Sequence, residues 1–387
     1  MRLALFFTRN VSLHHWVESG LFDREKLLYE QMLRNGFCSH VDWFTYDEKT
    51  KGKDDAQLAA HMQATGRLDR RIDVHGKPVW LPGKLGSLIW SLLLPLARRH
   101  VLRRADIFKS NQMDGAWAPL LAGKLLGRPV YLRTGYTLSQ LAEAKRTSSL
   151  RTGIFRRIER ICYAGADAGA VTSSHNIAYL KTHDMKTGHV SIIPNFVDTE
   201  AFAPAKERRP NTLTFTGRLH PEKNLHALME AMPGLPLALH LYGMGPEENA
   251  LRIKAETLGL NVTFHGSTPH AQLAAALATT DMFIMPSHYE GMPKSLIEAM
   301  AAGAVCIATD VPGNRELIKD GATGILAPGT SPPALRVALC RAMGLNTEQR
   351  ATMRNAARQD AVSHYSIPSV LAMEQSLLAH LTPCTHR

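Results

Sequence analysis

The chain has 387 residues, of which 45% are hydrophobic and 20% charged, with 45 Lys and Arg set against 34 Asp and Glu. That length predicts two domains, each large enough to bury its own core, and the composition excludes a mainly disordered or fibrous chain. The net charge of +11 is uneven: residues 1–200 hold 29 basic and 19 acidic side chains, residues 201–387 hold 16 and 15. Five cysteines (Cys38, Cys162, Cys306, Cys340 and Cys384) show no CxxC spacing. Neither a disulfide scaffold nor a structural zinc site is expected, and a reducing cytoplasm fits. The opening MRLALFFTRN has too short an apolar stretch for a signal peptide.

In chain order, LALFF (3–7) predicts a first buried strand, a helix follows around Glu25 to Arg34, and CSHVDWFTY (38–46) predicts a second strand. Residues 47–78 read as a polar, Lys/Asp-rich insertion. Residues 85–97, LGSLIWSLLLPLA, carry Trp90 and run into RRHVLRR, with Arg98, Arg99, Arg103 and Arg104. That pattern predicts either a core helix or an interfacial one with Trp90 near the headgroups, and both hold if the helix is only partly covered. DIFKSN (106–111), PVYLRTGY (129–136), AGAV (168–171) and VSIIPN (190–195) predict strands, and the segments between them predict helices. Further basic residues lie at Arg70 and Arg71 and from Lys145 to Arg160, which points to phosphate-bearing surfaces. No zinc-finger spacing or basic-aromatic interleaving favours nucleic acid, so an anionic inner-membrane surface is the expected partner.

The second half repeats the rhythm: NTLTFTG, LALHLYG, NVTFHG, DMFIMPS, AVCIATD and GILAP predict strands with helices between. The Pro-bounded stretch 199–210 reads as the linker. Strands alternating with helices imply parallel sheets, and the predicted architecture is α/β: two Rossmann-like, doubly wound domains facing a cleft. The boundaries predicted are 1–189 and 190–365, with a final helix at 366–381 packing back on the first domain.

In such domains ligands bind beyond the carboxyl ends of the strands. TGRLHPEKN (216–224) offers Gly217, Arg218 and Lys223, a backbone approach flanked by two cations suited to a diphosphate. YGMGP supplies Gly243, and FHGSTP supplies His265, either a ligand contact or a packed ring. PSHYEGMPKSLIEAMAAG (286–303) is the richest loop. Glu290 follows a strand, and Glu298 lies eight residues later on a helix whose first position suits Pro293, leaving the 291–295 amides for an anion. Two carboxylates facing one cleft accept hydrogen bonds from sugar hydroxyls, and apolar neighbours argue that Glu298 is not merely solvated.

These motifs in this order, together with IIPNFVDTEAFAP and PGNRELIKDGATGILAP, resemble the donor half of the family 4 retaining glycosyltransferases over roughly 190–330. The resemblance implies a GT-B fold, a nucleotide-diphosphate sugar donor carrying UDP or GDP, and catalysis without a bound metal or further cofactor. It implies that Arg218 and Lys223 hold the diphosphate, that Glu298 binds the ribose and that Glu290 contacts the donor sugar. Backbone amides of the Gly291–Ser295 turn, those of Gly291, Met292, Lys294 and Ser295 with Pro293 shaping the turn but donating no N–H, would serve the sugar and distal phosphate. The first half departs from the family pattern: only Gly20 stands after the first strand, and Asn111 and Gln112 stand where relatives often carry His. Candidate acceptor residues are Ser12, His14, His15, Trp16, Gln112, Asp114, Arg133 and Tyr136, all expected in strand-end loops. The expected activity is transfer of a hexose-type sugar to a hydroxyl of a glycan or lipid-linked glycan in cell-surface polysaccharide synthesis, at the cytoplasmic membrane face. A UDP-sugar epimerase and a non-catalytic nucleotide- or lipid-binding paralogue are the alternatives. Donor incubated alone separates the first, because an epimerase converts it without acceptor.

Overall fold

A computed structural model describes residues 1–48, 51–135, 137–144 and 147–381. The chain divides into two compact units, one of Met1–Ile193 with the segment from Leu371 onward, the other Pro194–Val370. The boundary thus falls after Ile193, not at 189/190. VSI forms an edge strand of the first sheet, so it cannot open the second unit, and residues 199–210 lie inside the second unit instead of linking the two.

The first sheet contains β1 (Arg2–Phe6), β2 (His40–Phe44), β3 (Ile72–His75), β4 (Ile107–Ser110), β5 (Val130–Thr134), β6 (Ala168–Val171) and β7 (Val190–Ile192). All pairings are parallel, in the order β3-β2-β1-β4-β5-β6-β7. The helices that matter below are α1 (Leu13–Glu18), α2 (Asp55–Ala64), α3 (Gly83–Ala97), α4 (Trp117–Leu126) and α5 (Ser149–Gly165). The supposed insertion 47–78 holds α2 and β3. The strand IDVH escaped the hydrophobic pattern because its polar groups are satisfied across the sheet: Asp73 meets His40 Nε2 at 2.8 Å, and His75 Nε2 meets Asp42 at 3.0 Å.

The second sheet contains β8 (Arg209–Thr216), β9 (Ala238–Tyr242), β10 (Val262–Gly266), β11 (Thr280–Met285), β12 (Val305–Thr309) and β13 (Ile325–Ala327), parallel in the order β10-β9-β8-β11-β12-β13. Its central strands β11 and β12 are buried along their whole length, as near-continuous apolar runs covered on both faces should be. Helices α6 (Lys294–Ala301), α7 (Pro312–Arg315), α8 (Thr347–Tyr365) and α9 (Ile367–Leu381) complete the set used here. Gly303 ends the α6 segment at φ +68°, the left-handed conformation expected of a helix-stopping glycine. Pro293 is the residue before α6, not its first helical residue, because its ψ of 113° is extended.

From Leu371 on, α9 belongs to the first unit. Its Glu374 is buried there, accepting from Lys109 Nζ at 2.9 Å and from the Tyr131 hydroxyl at 3.1 Å. Burial pushes the Lys109 amine down and the Tyr131 phenol up, and only the paired arrangement makes such charges tolerable in the interior.

Candidate functional site

In each sheet the strand order reverses once, between β1 and β4 and between β8 and β11. Helices leave the carboxyl ends of those neighbouring strands in opposite directions, which opens a crevice, and ligands of doubly wound sheets sit there. The second unit's crevice is flanked by Gly217–Lys223 after β8 and Pro286–Pro293 after β11, the two loops richest in candidate residues.

Those loops touch through charge. Lys223 Nζ donates to Glu290 Oε1 at 2.6 Å, and the Ser287 hydroxyl donates to the same oxygen at 2.6 Å. Glu290 is buried, and the Lys223 side chain is only 14% exposed. A carboxylate so enclosed needs the cation and hydroxyl it has. Arg218 is different: its side chain is 74% exposed and donates to Glu222 Oε1 at 2.8 Å. A surface pair of this kind contributes little and is readily exchanged for another anion.

The loop backbones are packed too closely for side chains. A Cβ on Gly243, at φ +135°, would stand 1.9 Å from the Gly217 carbonyl oxygen. The Gly217 amide donates to the Tyr242 carbonyl, and the Gly243 amide to that of Gly266. Behind the acidic loop, a Cβ on Gly313 of α7 would come within 2.4 Å of the carbonyl oxygens of Glu290 and Gly291. Thr309 Oγ1 donates to the Ser287 carbonyl at 2.6 Å, and Asn314 Nδ2 donates to the Thr309 carbonyl at 3.0 Å. Asn195 Nδ2 holds the Met292 carbonyl at 2.7 Å. Asn224, at φ +57°, spans the crevice floor by donating to the carbonyls of Pro286 and Thr330. These supporting residues (Ser287, Asn195, Asn224, Thr309, Gly313 and Asn314) were missed as site residues. All six lie in segments singled out above, yet the jobs they do, such as seating Gly313 under Glu290, require the fold.

Glu298 is buried one turn into α6, Lys294 stands over the Phe196 ring at 4.9 Å, and Gly291 and Ser295 are half-buried at the mouth of the loop. His265 lies on the open face of β10, stacked on Tyr242 at 4.1 Å with its Nε2 3.0 Å from His240 Nδ1. Burial, and Arg209 nearby, lower its proton affinity. The ring packs on Tyr242 and yet is exposed, so it can pack and meet a ligand at once.

In the first unit the acceptor candidates separate. Ser12 caps α1, its hydroxyl accepting from the His15 amide at 3.0 Å, and His15 itself is exposed. Trp16 is no loop residue: it is buried and stacked on Phe7 at 4.1 Å because the first turn of α1 needs an apolar anchor under the sheet. Arg133 lies within β5 and donates to the Ile193 carbonyl, with Glu374 3.6 Å away, so it ties the sheet to its surroundings instead of lining a loop. Gln112 accepts from the Gly135 amide at 2.8 Å, and Asp114 is paired with Arg9 at 2.9 Å. Tyr136 lies outside the described residues. His14 stands out: its Nδ1 donates to Asp55 Oδ1 at 2.8 Å, while Asp55, fully buried at the start of α2, also accepts the Leu13 and His14 amides. That fixes the ring through Nδ1 and leaves the side chain 21% exposed, an arrangement compatible with a positioned acid–base group. Asp55 was missed because it sits in what reads as an insertion.

Among the described residues, His40, Asp42 and Asp73 group their ligand atoms within 4.8 Å. Arg2 and His75 already engage Asp42, so the group's charge is met from within, and it lies on β2 and β3 of the other unit from the Lys223–Glu290 pair.

Comparison with known proteins agrees with this geometry. Residues 196–360 match the family profile "Glycosyl transferases group 1", and residues 28–201 match "Glycosyltransferase Family 4". The phosphatidyl-myo-inositol mannosyltransferase of Mycobacterium leprae is 33% identical over 159 residues, a stretch covering 38% of this chain and 42% of that relative. The matched part therefore spans about two fifths of such relatives. The D-inositol 3-phosphate glycosyltransferase of Corynebacterium urealyticum is 27% identical over 73% of each chain. Among solved structures, HepE of Anabaena in complex with UDP superposes with a TM-score of 0.76 at 16% identity, covering 98% of this chain and all of that one. With two parallel-sheet α/β units of the GT-B class and both family profiles in succession, the chain belongs to the group 1, family 4 glycosyltransferases.

Proposed function

We propose that the protein transfers a hexose-type sugar, with retention and without a metal, from a UDP- or GDP-sugar to a hydroxyl of a glycan or lipid-linked glycan acceptor. The observation that carries this is the Lys223–Glu290 contact bridging the two loops at the second sheet's reversal point. Lys223 and Arg218 take the diphosphate; Arg218 leaves Glu222 to do so. Glu298 takes the ribose hydroxyls, and Glu290, held by Lys223 and Ser287, orients the sugar. The amides at the start of α6 face the sugar and distal phosphate.

In the reaction the bond between the anomeric carbon and the distal phosphate oxygen breaks, and the acceptor oxygen bonds to that carbon on the same face. The acceptor proton passes to the departing phosphate oxygen. Negative charge grows on the diphosphate as this happens, and cations already in place stabilise it more than they stabilise bound donor. Each charge-assisted hydrogen bond contributes roughly 1.5–3 kcal/mol, enough for one to three powers of ten in rate.

The acceptor reading extends to the membrane. Trp90 is buried with Arg98 over its ring, so the helix is partly covered, and its leucine face is the part left to meet an interface. Leu85, Leu88, Ile89, Leu92, Leu93 and Leu96 are all exposed, and Arg99, Arg103 and Arg104 follow, also exposed. No described helix is long and apolar enough to cross a membrane. An apolar face ending in guanidinium groups suits peripheral binding to an anionic bilayer. Incubation with UDP- and GDP-hexoses, alone and with membrane lipid extract in EDTA, tests the reading. Sugar appearing on lipid-linked product is expected; an epimer from donor alone would replace transfer with epimerisation.

A further inference from the structure

The exposed apolar surface does not end at α3. A groove of about 1020 Å³ runs between α3, α4 and α5, walled by Leu88, Leu92, Leu120, Leu121, Ile158 and Ile161. Its floor is made of small residues: a Cβ on Gly123 would stand 2.3 Å from Val130 Cγ2, so α4 lies directly on β5 there. Lys124 and Arg128 line one part of it. Ile161 is shared with an adjoining hollow of about 510 Å³ lined by Arg156, Arg157 and Arg160. Among the residues lining either, the single acid is Asp167, which accepts from the Val130 amide at 2.8 Å.

Two chemistries meet at Ile161. An apolar channel holds hydrocarbon, and forked guanidinium groups hold phosphate. Arg156 is already paired with Glu143, which leaves Arg157 and Arg160 to take an anion: a free phosphate would leave the channel open to water, and an apolar protein helix would bring those two no anion. The ligand that satisfies both parts is an anionic amphiphile.

Its place in the fold separates this groove from the acceptor loops. Helices α4 and α5 run back from the carboxyl ends of strands to the amino ends of β5 and β6, so Arg128–Val130 and Gly165–Asp167 lie at the amino pole. His14, Gln112 and Asp114 follow β1 and β4 at the carboxyl pole. We propose that the groove seats a single anionic phospholipid, its chains between α3, α4 and α5 and its phosphate on Arg157 and Arg160, as an anchor distinct from the acceptor. This rests on the membrane reading above and adds a specific, saturable site to it.

The test uses the full chain and a short-chain phosphatidylglycerol below its micelle concentration, followed by native mass spectrometry and titration. One lipid per chain is expected, with phosphatidylcholine of the same chain length at least about tenfold weaker and inorganic phosphate unable to compete. Ile161→Glu and Arg157→Glu should each weaken binding about tenfold without moving the melting temperature, since both side chains are exposed. Leu85→Glu, on the α3 face outside the groove, should leave the titration unchanged while reducing sedimentation with phosphatidylglycerol vesicles. Equal binding of the two lipids, displacement by phosphate, or unchanged affinity in both groove variants would overturn the seat. A wild-type chain that titrates with one lipid yet ignores vesicles would keep the seat and remove the membrane reading.

Discussion

The two units share an architecture and differ in how their reversal points are furnished. In the second unit, glycine-packed turns bring Lys223 and Glu290 to 2.6 Å, and buried amides and hydroxyls brace the loop from behind. In the first, most polar residues near the reversal are spent on architecture: Ser12 caps a helix, Gln112 holds a backbone amide, and Asp114 holds Arg9. One pair, His14 and Asp55, holds an imidazole through Nδ1 on a partly exposed side chain. The difference teaches that one architecture does not dictate how its reversal point is furnished: the second unit builds a buried cation–carboxylate contact there, and the first spends its polar groups on caps and backbone ties.

The largest test of that contrast is Glu290→Gln, which should lower turnover about 100-fold or more while leaving diphosphate affinity nearly unchanged. Turnover within a factor of two of wild type would take Glu290 out of the sugar site. Lys223→Ala should be next, weakening donor binding and also destabilising the chain by about 1–3 kcal/mol, because Glu290 is then buried without its cation. A urea melt reads the stability and a UDP titration the affinity. Arg218→Ala should weaken UDP binding with no change in the melt, as befits a side chain 74% exposed; equal losses in both would mean that Arg218 is structural.

On the first unit, Asp55→Asn should lower acceptor turnover about tenfold or more and leave donor hydrolysis unaffected. Loss of both would show that Asp55 only holds α1 in place. The smallest effect concerns His240 and His265. Burial holds both below the ordinary histidine value of 6.5. The stability they contribute is complete above that pH and is lost as pH falls through their depressed folded values, where the unfolded chain binds more protons. His265→Phe should therefore flatten the acid limb of melting temperature against pH; an unchanged limb would deny the histidines any part in it.

The second unit was largely legible because its strands are unbroken apolar runs and its site residues stand at fixed offsets from them. The EGMP loop names Glu290, and the strand before it says where that residue must be. What the sequence leaves hidden is reciprocity, since Gly313 and Asn314 matter only through a carbonyl they approach in space. In the first unit β3 was hidden by its own Asp and His, whose partners are on neighbouring strands. Trp16 was expected in a loop and is a core residue, and Trp90 takes the core one of its two readings, because a short helix and an outward leucine face each need one large inward anchor.

The central claim, that the Lys223–Glu290 crevice holds a nucleotide diphosphate, is tested most directly by melting the full chain with UDP, GDP and ADP in EDTA, beside Lys223→Ala. One diphosphate should raise the melting temperature, by the equivalent of about 2.7 kcal/mol at a hundredfold excess over its dissociation constant, and Lys223→Ala should lose most of that gain. No response to any diphosphate, or a response that Lys223→Ala keeps in full, would contradict it.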